Sequence, residues 1–338
     1  MSNYLLSIII PVYNVSSYLQ RCLESVVGKL GDEVEVIIVN DGSTDDSLSV
    51  INSFKSKYSR LIVYSQENKG LSAARNAGLK LASGEYIWFI DGDDYINVEE
   101  FKTILNALYS GFDRDIITFG LVEDYLYKNK KSPILTHCRN YETGKDFFSM
   151  TIADGTFRTY AWNKLFRRSL IEKNHLEFVE GLLYEDMYFI LQACMKAGKV
   201  TYFPLYPYHY VQYNTQSITK QVRRKDLDVL LFINKANEYI KRDVDSLKLI
   251  NRSFQILVYT WCSSCLLKKY AYLSFSNKDA AFIFKEVLRN KVFMDATQYC
   301  CVHNVGLRKT FFAILLTVSP YLYKVLLHLS LSIKRKIS

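Results

Sequence analysis

Asp91-Gly92-Asp93-Asp94 packs three carboxylates into four residues, directly after an apolar run over 86–90. Like charges this close raise one another's pKa unless a cation offsets them. Two carboxylates one residue apart offer hard oxygen ligands to Mg²⁺ or Mn²⁺, and a contact to a nucleotide's ribose beside the metal. Taken alone, Asp-x-Asp is also an ordinary solvated turn. Glu185-Asp186 is a second acidic pair, at the start of the stretch YEDMYFILQA. Acids there complement a helix dipole, and one of them serves as a general base if the helix end faces a cleft. Asp41 follows the apolar run 34–39 and can hydrogen-bond a base or ribose. Pro11-Val12-Tyr13-Asn14 ends the run 6–13, and the Tyr13 ring can stack on a base. His209 lies in the aromatic run PYHY, where a histidine is more often structural than a ligand.

These residues need a scaffold that gathers them. The runs 6–13, 34–39, 61–65 and 86–90 are apolar and β-branched or aromatic, as strands buried on both faces are. Helical spacing of Val15, Leu19, Cys22, Leu23 and Val26 separates the first two, with Asn14 or Ser16 as cap. Ser43 or Thr44 caps the next helix, with Asp45 and Asp46 in its first turn. Residues 70–83 form a third helix. Alternating strand and helix predicts an open, mostly parallel sheet with helices on both faces, whose ligands collect at the carboxyl ends of the strands. Asn14, Asp41, Asp91 and Asp93 all stand at such ends. A further strand is expected over 115–125, helices within 143–198, including the segment around WNKLFRRSLI, and an extended stretch over 200–211. No G-x-G-x-x-G follows the first strand, and no Walker A or G-x-S-x-G occurs.

Hydrophobic residues make up 49% of the 338, enough for a large core and too many for a disordered chain. The net charge of +9 divides into −4 over residues 1–219 and +13 over 220–338. This predicts two domains, 1–220 and 221–338, the second helical, basic and aromatic. Its bases cluster with apolar helices instead of lining a groove, which argues against nucleic acid and for an anionic membrane surface. Within 307–336 the uncharged run from Thr310 to Tyr323 is 14 residues long, and Pro320 interrupts it. A spanning helix needs ~20 apolar residues. The reading is a segment lying in the interface, with Arg308, Lys309, Lys334, Arg335 and Lys336 on anionic headgroups. Seven scattered cysteines, Cys138 among them, form no disulfide framework, and the first residues lack a basic signal region. The expected setting is the cytoplasmic, inner face of the cell membrane.

The stretches SIIIPVYN (7–14), VIIVNDGSTDDS (36–47), NKGLSAARNAG (68–78), YIWFIDGDDY (86–95), WNKLFRRSLI (162–171) and YEDMYF (184–189) together resemble the inverting family 2 glycosyltransferases of bacterial surface-polysaccharide assembly. The resemblance covers roughly the first 220 residues. It implies an α/β GT-A fold, a Rossmann-like mixed sheet flanked by helices, here with a C-terminal helical extension. It also implies a nucleotide-sugar donor, usually UDP-linked, a divalent cation (Mn²⁺ or Mg²⁺), and a glycan or lipid-linked acceptor. By motif, Pro11, Val12 and Tyr13 line the nucleoside pocket, Asp41 holds the base, and Arg75 stands near the nucleotide. Asp91 and Asp93 match the Asp-x-Asp, Asp93 being nearest the metal, and Asp186 matches the catalytic base. Lys164 and Arg167 are diphosphate candidates. Where the family often has an arginine before a Ser-Ile, this chain reads Tyr208-His209-Tyr210-Val211-Gln212 and then Ser217-Ile218. His209, Lys220 and Arg223 are candidate substitutes, and His209 is a further candidate for the metal. The alternative is a catalytically inactive sugar-nucleotide-binding or partner protein.

Overall fold

The computed structural model describes residues 4–126, 130–134, 139–212, 222–242, 244–303 and 305–327. Two compact units emerge: residues 1–147 with 158–217, and residues 148–157 with 218–338. Cys138, Ser217, Ile218, Lys220, Lys334, Arg335 and Lys336 lie outside the described residues.

The first unit is built on one mixed sheet. β1 (Leu6–Val12), β2 (Val34–Asp41), β3 (Ile62–Gln66) and β4 (Tyr86–Phe89) alternate with α1 (Ser16–Val26), α2 (Ser47–Lys55) and α3 (Leu71–Leu81). They pair in parallel in the order β3-β2-β1-β4, Ile8 lying opposite Val36 on one side and Trp88 on the other. Every residue of β1 is buried, because helices cover both faces. The short β5 (Tyr95–Ile96) leads into α4 (Val98–Tyr109), whose cap Asn97 accepts from the Glu99 and Glu100 amides.

The second half of the sheet is mixed, and the strand expected over 115–125 and the extended stretch over 200–211 both form in it. β6 (Ile116–Tyr125) and β10 (Val200–Gln212) pair in parallel, and β7 (Lys130–Ile134) and β8 (Arg139–Tyr141) lie antiparallel to them. Residues 164–167, expected as helix, form strand β9 (Lys164–Arg167), antiparallel between β4 and β6. Leu165 and Phe166 are fully buried there. The helix of that segment is only the short α6 (Arg168–Lys173). α5 (Gly144–Asp154) precedes β9, and α7 (Glu185–Lys196) carries the acidic pair. The second unit contains the helices α8 (Asp228–Lys241), α9 (Val244–Trp261), α10 (Lys268–Leu273), α11 (Lys278–Arg289), α12 (Lys291–Val302) and α13 (Leu307–Val318).

Candidate active site

α1 and α2 are held by the turns of the strands before them. Asn14, in left-handed backbone (φ 52°), accepts through Oδ1 from the Thr44 amide at 2.8 Å. Asp45 lies before α2 and not in its first turn. Its Oδ1 accepts from Ser47 N at 3.0 Å, and its Oδ2 from Ser16 N, at the start of α1, at 2.9 Å. One carboxylate thus serves two helix starts, and these bonds outweigh desolvation and hold Asp45 well below the usual carboxylate range. Tyr13 is exposed beside buried Pro11 and Val12, so the three form a rim with one ring open to solvent.

Asp41 reaches the same end of the sheet and is buried. Its Oδ1 accepts from Gln66 Nε2 at 2.7 Å and Lys69 N at 2.9 Å, and its Oδ2 from Gly70 N at 2.8 Å. Asp41 thus fastens the loop that starts α3.

Arg75 is the centre of the site. It projects from α3, is 1% exposed, and meets three carboxylates. Nη2 donates to Asp91 Oδ1 at 2.8 Å, and Nη1 donates to Glu185 Oε1 at 2.9 Å and to Asp186 Oδ1 at 2.5 Å. Burial by itself disfavours the charge, but Asp186, Asp91 and Glu185 more than offset it and raise the Arg75 pKa. The guanidinium also lies 5.2 Å from the Phe178 ring centroid. The acidic turn after β4 and the start of α7 are thus clamped by one cation.

The second Asp186 oxygen accepts from Ala161 N at 3.0 Å. The Ala161 turn is pinned by the Trp88 indole, which donates to the Trp162 carbonyl at 2.7 Å. Burial raises the Asp186 pKa against the opposing pull of Arg75. Glu185 is pushed to about 7 by burial and by Asp186. The residue before the pair, Tyr184, stands in left-handed backbone (φ 65°, ψ 34°), uncommon for a residue this bulky.

Asp91 and Asp93 stand one residue apart on the turn after β4. Burial, then the Asp91 charge, pushes Asp93 up to about 6, a surplus of negative charge. Asp94 belongs to the same cluster, its pKa raised by burial and then by Asp93 and Asp91, while it accepts from Tyr208 Oη at 2.6 Å and Val211 N at 2.7 Å in the interior. Among the described residues, no three His, Cys, Asp or Glu side chains are grouped to hold a metal. Asp91 and Asp93 by themselves offer hard oxygen donors of the kind Mg²⁺ and Mn²⁺ take.

Of three further candidates, Lys164 lies within electrostatic reach of Asp186, each charge favouring the other, whereas Arg167 and His209 lie elsewhere. The Lys164 ammonium is buried and donates to Arg158 O, Tyr160 O and Asn163 Oδ1 at 2.9, 2.8 and 2.7 Å, which spends its three protons. Desolvation lowers its pKa to about 7. Arg167 sits opposite Tyr86 at the amino end of β4, whereas Asp91 follows the carboxyl end. It donates to Glu85 at 2.7 Å and Tyr86 Oη at 2.6 Å and pairs with Asp113. His209 stacks on Tyr95, ring centroids 4.5 Å apart, while its neighbour Tyr208 donates to Asp94 from the alternate face of β10. Burial and then Lys131 lower the His209 pKa to about 4, with no contribution from Asp91 or Asp93. Tyr208, unlike His209, belongs to the site: its hydroxyl accepts from Asp91 N at 3.2 Å. Period-two alternation from His209 was the available signal for it.

A family model described as glycosyl transferase family 2 matches residues 7–174. A putative glycosyltransferase of Bacillus subtilis, EpsH, is 30% identical over 267 residues, 78% of this chain and 77% of that protein. The chain belongs to glycosyl transferase family 2. Another relative, the poly(ribitol-phosphate) beta-glucosyltransferase of Bacillus spizizenii, is 32% identical over 212 residues, covering 61% of this chain and 32% of that one. Among solved structures, S. aureus TarS 1-349 aligns with a TM-score of 0.70 at 20% identity, covering 97% of this chain and 91% of that one. TarS 1-349 has also been solved with UDP-GlcNAc (TM-score 0.67). The fold is GT-A, and this family 2 protein is a glycosyltransferase.

Proposed function

We propose that the protein is an inverting, metal-dependent transferase that moves a sugar from a nucleotide sugar, UDP-linked, to a hydroxyl of a lipid-linked glycan in surface-polysaccharide synthesis. It works peripherally on the cytoplasmic face of the cell membrane. The observation that carries this reading is the Arg75 clamp, which holds Asp186 beside the Asp91 turn in one buried network. The poly(ribitol-phosphate) relative and the UDP-GlcNAc complex of TarS support the acceptor and donor classes.

Asp186 accepts the proton of the acceptor hydroxyl as that oxygen attacks the anomeric carbon and the bond to the nucleoside diphosphate breaks. Arg75 and Ala161 N each hold one carboxylate oxygen, so the base is oriented before substrate arrives. Its raised pKa makes it a stronger base than an exposed aspartate. One base suffices for inversion, whereas double displacement needs a second carboxylate as nucleophile. Glu185 is instead tied to Arg75. Asp91 and Asp93 would hold Mn²⁺ or Mg²⁺, which supplies neutralisation of charge on the leaving diphosphate. Pro11, Val12 and Tyr13 form the nucleoside rim, above the loop that Asp41 orders.

A panel of UDP- and GDP-sugars with Mn²⁺, scored for donor hydrolysis and for product anomer by NMR, tests this. Turnover of a UDP-sugar, inverted product and loss of activity in EDTA are expected. Full activity in EDTA with no metal retained on the protein removes the metal. A retained anomer overturns the single-base mechanism.

A further inference from the structure

α13 of the second unit carries an apolar surface that the transfer reaction does not use. It turns Ala313, Leu315 and Leu316 inward, yet Leu307 is 89% exposed, Phe311 54%, Ile314 44% and Val318 76%. Steps of four, three and four residues align these on one helical stripe. After Ser319, Tyr321 and Leu322, in the helix over 320–327, are exposed as well. A helix on a water-facing surface carries polar residues there. Along the sequence the charge has one sign: residues 305–338 contain six Lys+Arg and no Asp or Glu. Two of the bases, Arg308 and Lys309, lie in the first turn of α13, where the helix dipole disfavours them, so helix stability does not account for their place. With Tyr259, Thr260, Phe312 and Tyr323 they line a cavity of about 210 Å³. At 12 residues α13 is short of a bilayer crossing, and no described helix is long and apolar enough to make one.

We propose that α13 seats the second unit on an anionic bilayer leaflet, its apolar stripe in the acyl boundary and Arg308 and Lys309 drawing a lipid phosphate to the cavity mouth. This deepens the reading that the acceptor is lipid-linked and rests on it. A leaflet fits better than a second copy of the chain, because self-pairing of this stripe brings like bases together. Flotation of the full chain with vesicles tests it. Wild type binds phosphatidylglycerol vesicles at least tenfold more tightly than pure phosphatidylcholine. The triple variant Leu307→Ser, Phe311→Ser, Val318→Ser weakens binding to both at least ~100-fold, by loss of buried apolar area. Arg308→Gln with Lys309→Gln weakens only the anionic binding, by about 30-fold for two surface bases. Millimolar inorganic phosphate does not release the protein. Wild type that floats with neither vesicle overturns the proposal, as does a triple variant that floats like wild type. Release by inorganic phosphate makes the cavity a free-phosphate site, and an oligomer lost in the triple variant gives the stripe to a second copy; either result sinks the proposal. Donor hydrolysis in vesicle-free buffer is expected unchanged in both variants, which shows that they fold. Its absence in wild type breaks the catalytic reading and leaves the flotation result standing.

Discussion

Arg75 and Arg167 face the same kind of company at opposite ends of β4, and only one of them makes a site. Each meets three carboxylates: Asp91, Glu185 and Asp186 for Arg75, and Glu85, Asp113 and Asp115 for Arg167. Arg75 is 1% exposed, while Arg167 is 18% exposed and its partner Asp113 78%. Water screens the second cluster, so its charges contribute little beyond holding a surface together. Around Arg75 the low dielectric leaves each charge dependent on its neighbours, and two carboxylates are displaced toward neutral pH or above their usual range. Burial, more than the count of acids, is what turns an ion-pair cluster into a place where protons can be moved.

The contrast breaks most visibly on removal of the arginines. Arg75→Gln leaves three carboxylates with little compensation and should cost ~3–5 kcal/mol in urea unfolding, with activity lost. An Arg75→Gln protein as stable as wild type would mean that the clamp is not structural. Asp186→Asn keeps the shape and removes the basicity, so transfer should fall at least ~10²-fold with donor affinity nearly kept. Wild-type turnover in that variant would reduce Asp186 to a helix-start acid.

The pH dependence sharpens the same point. Glu185 has a folded pKa of about 7 against an ordinary 4.5, so the native state binds the proton more tightly than the unfolded chain. Its contribution to stability is therefore complete below about pH 4.5 and is lost as pH rises through about 7. Activity runs the other way, because Asp186 must be ionised. Its rising limb belongs to the Glu185–Asp186 pair and should sit above the ordinary aspartate range. Glu185→Gln should flatten the stability slope and move the activity limb to lower pH; an unchanged limb uncouples the two acids. The smallest effect is expected at the other end of the sheet, where Arg167→Gln should cost no more than ~1 kcal/mol and leave turnover intact.

Much of this was legible in the sequence, and the failures share a cause. β1, β2 and β4 announced themselves because strands buried on both faces read as continuous apolar runs. The acidic turns followed, since loops at the carboxyl ends of such strands converge. β9 has four residues, too few to show a period, and the basic pattern around it looked helical. Arg167 sits near the right motif, but closeness in sequence does not say which end of a strand a side chain occupies, and three residues earlier Lys164 lies on the side of Asp186. His209 and Tyr208 differ by one residue and therefore by a whole face of β10. The Arg75 clamp was illegible for another reason: the ARNAG segment reads as helix, and the partners at 185 and 186 meet it only through the fold.

Tyr184 also bears on how this protein would respond to selection in the laboratory. Left-handed backbone at a residue with a β-carbon costs ~1–2 kcal/mol, and glycine or asparagine would relieve it. A library screened for thermal tolerance alone should therefore enrich Gly or Asn at 184. One screened for turnover should resist them, because that residue sets the angle at which α7 presents Asp186 to Arg75. Position 184 is where improving durability and keeping speed would pull this chain in opposite directions.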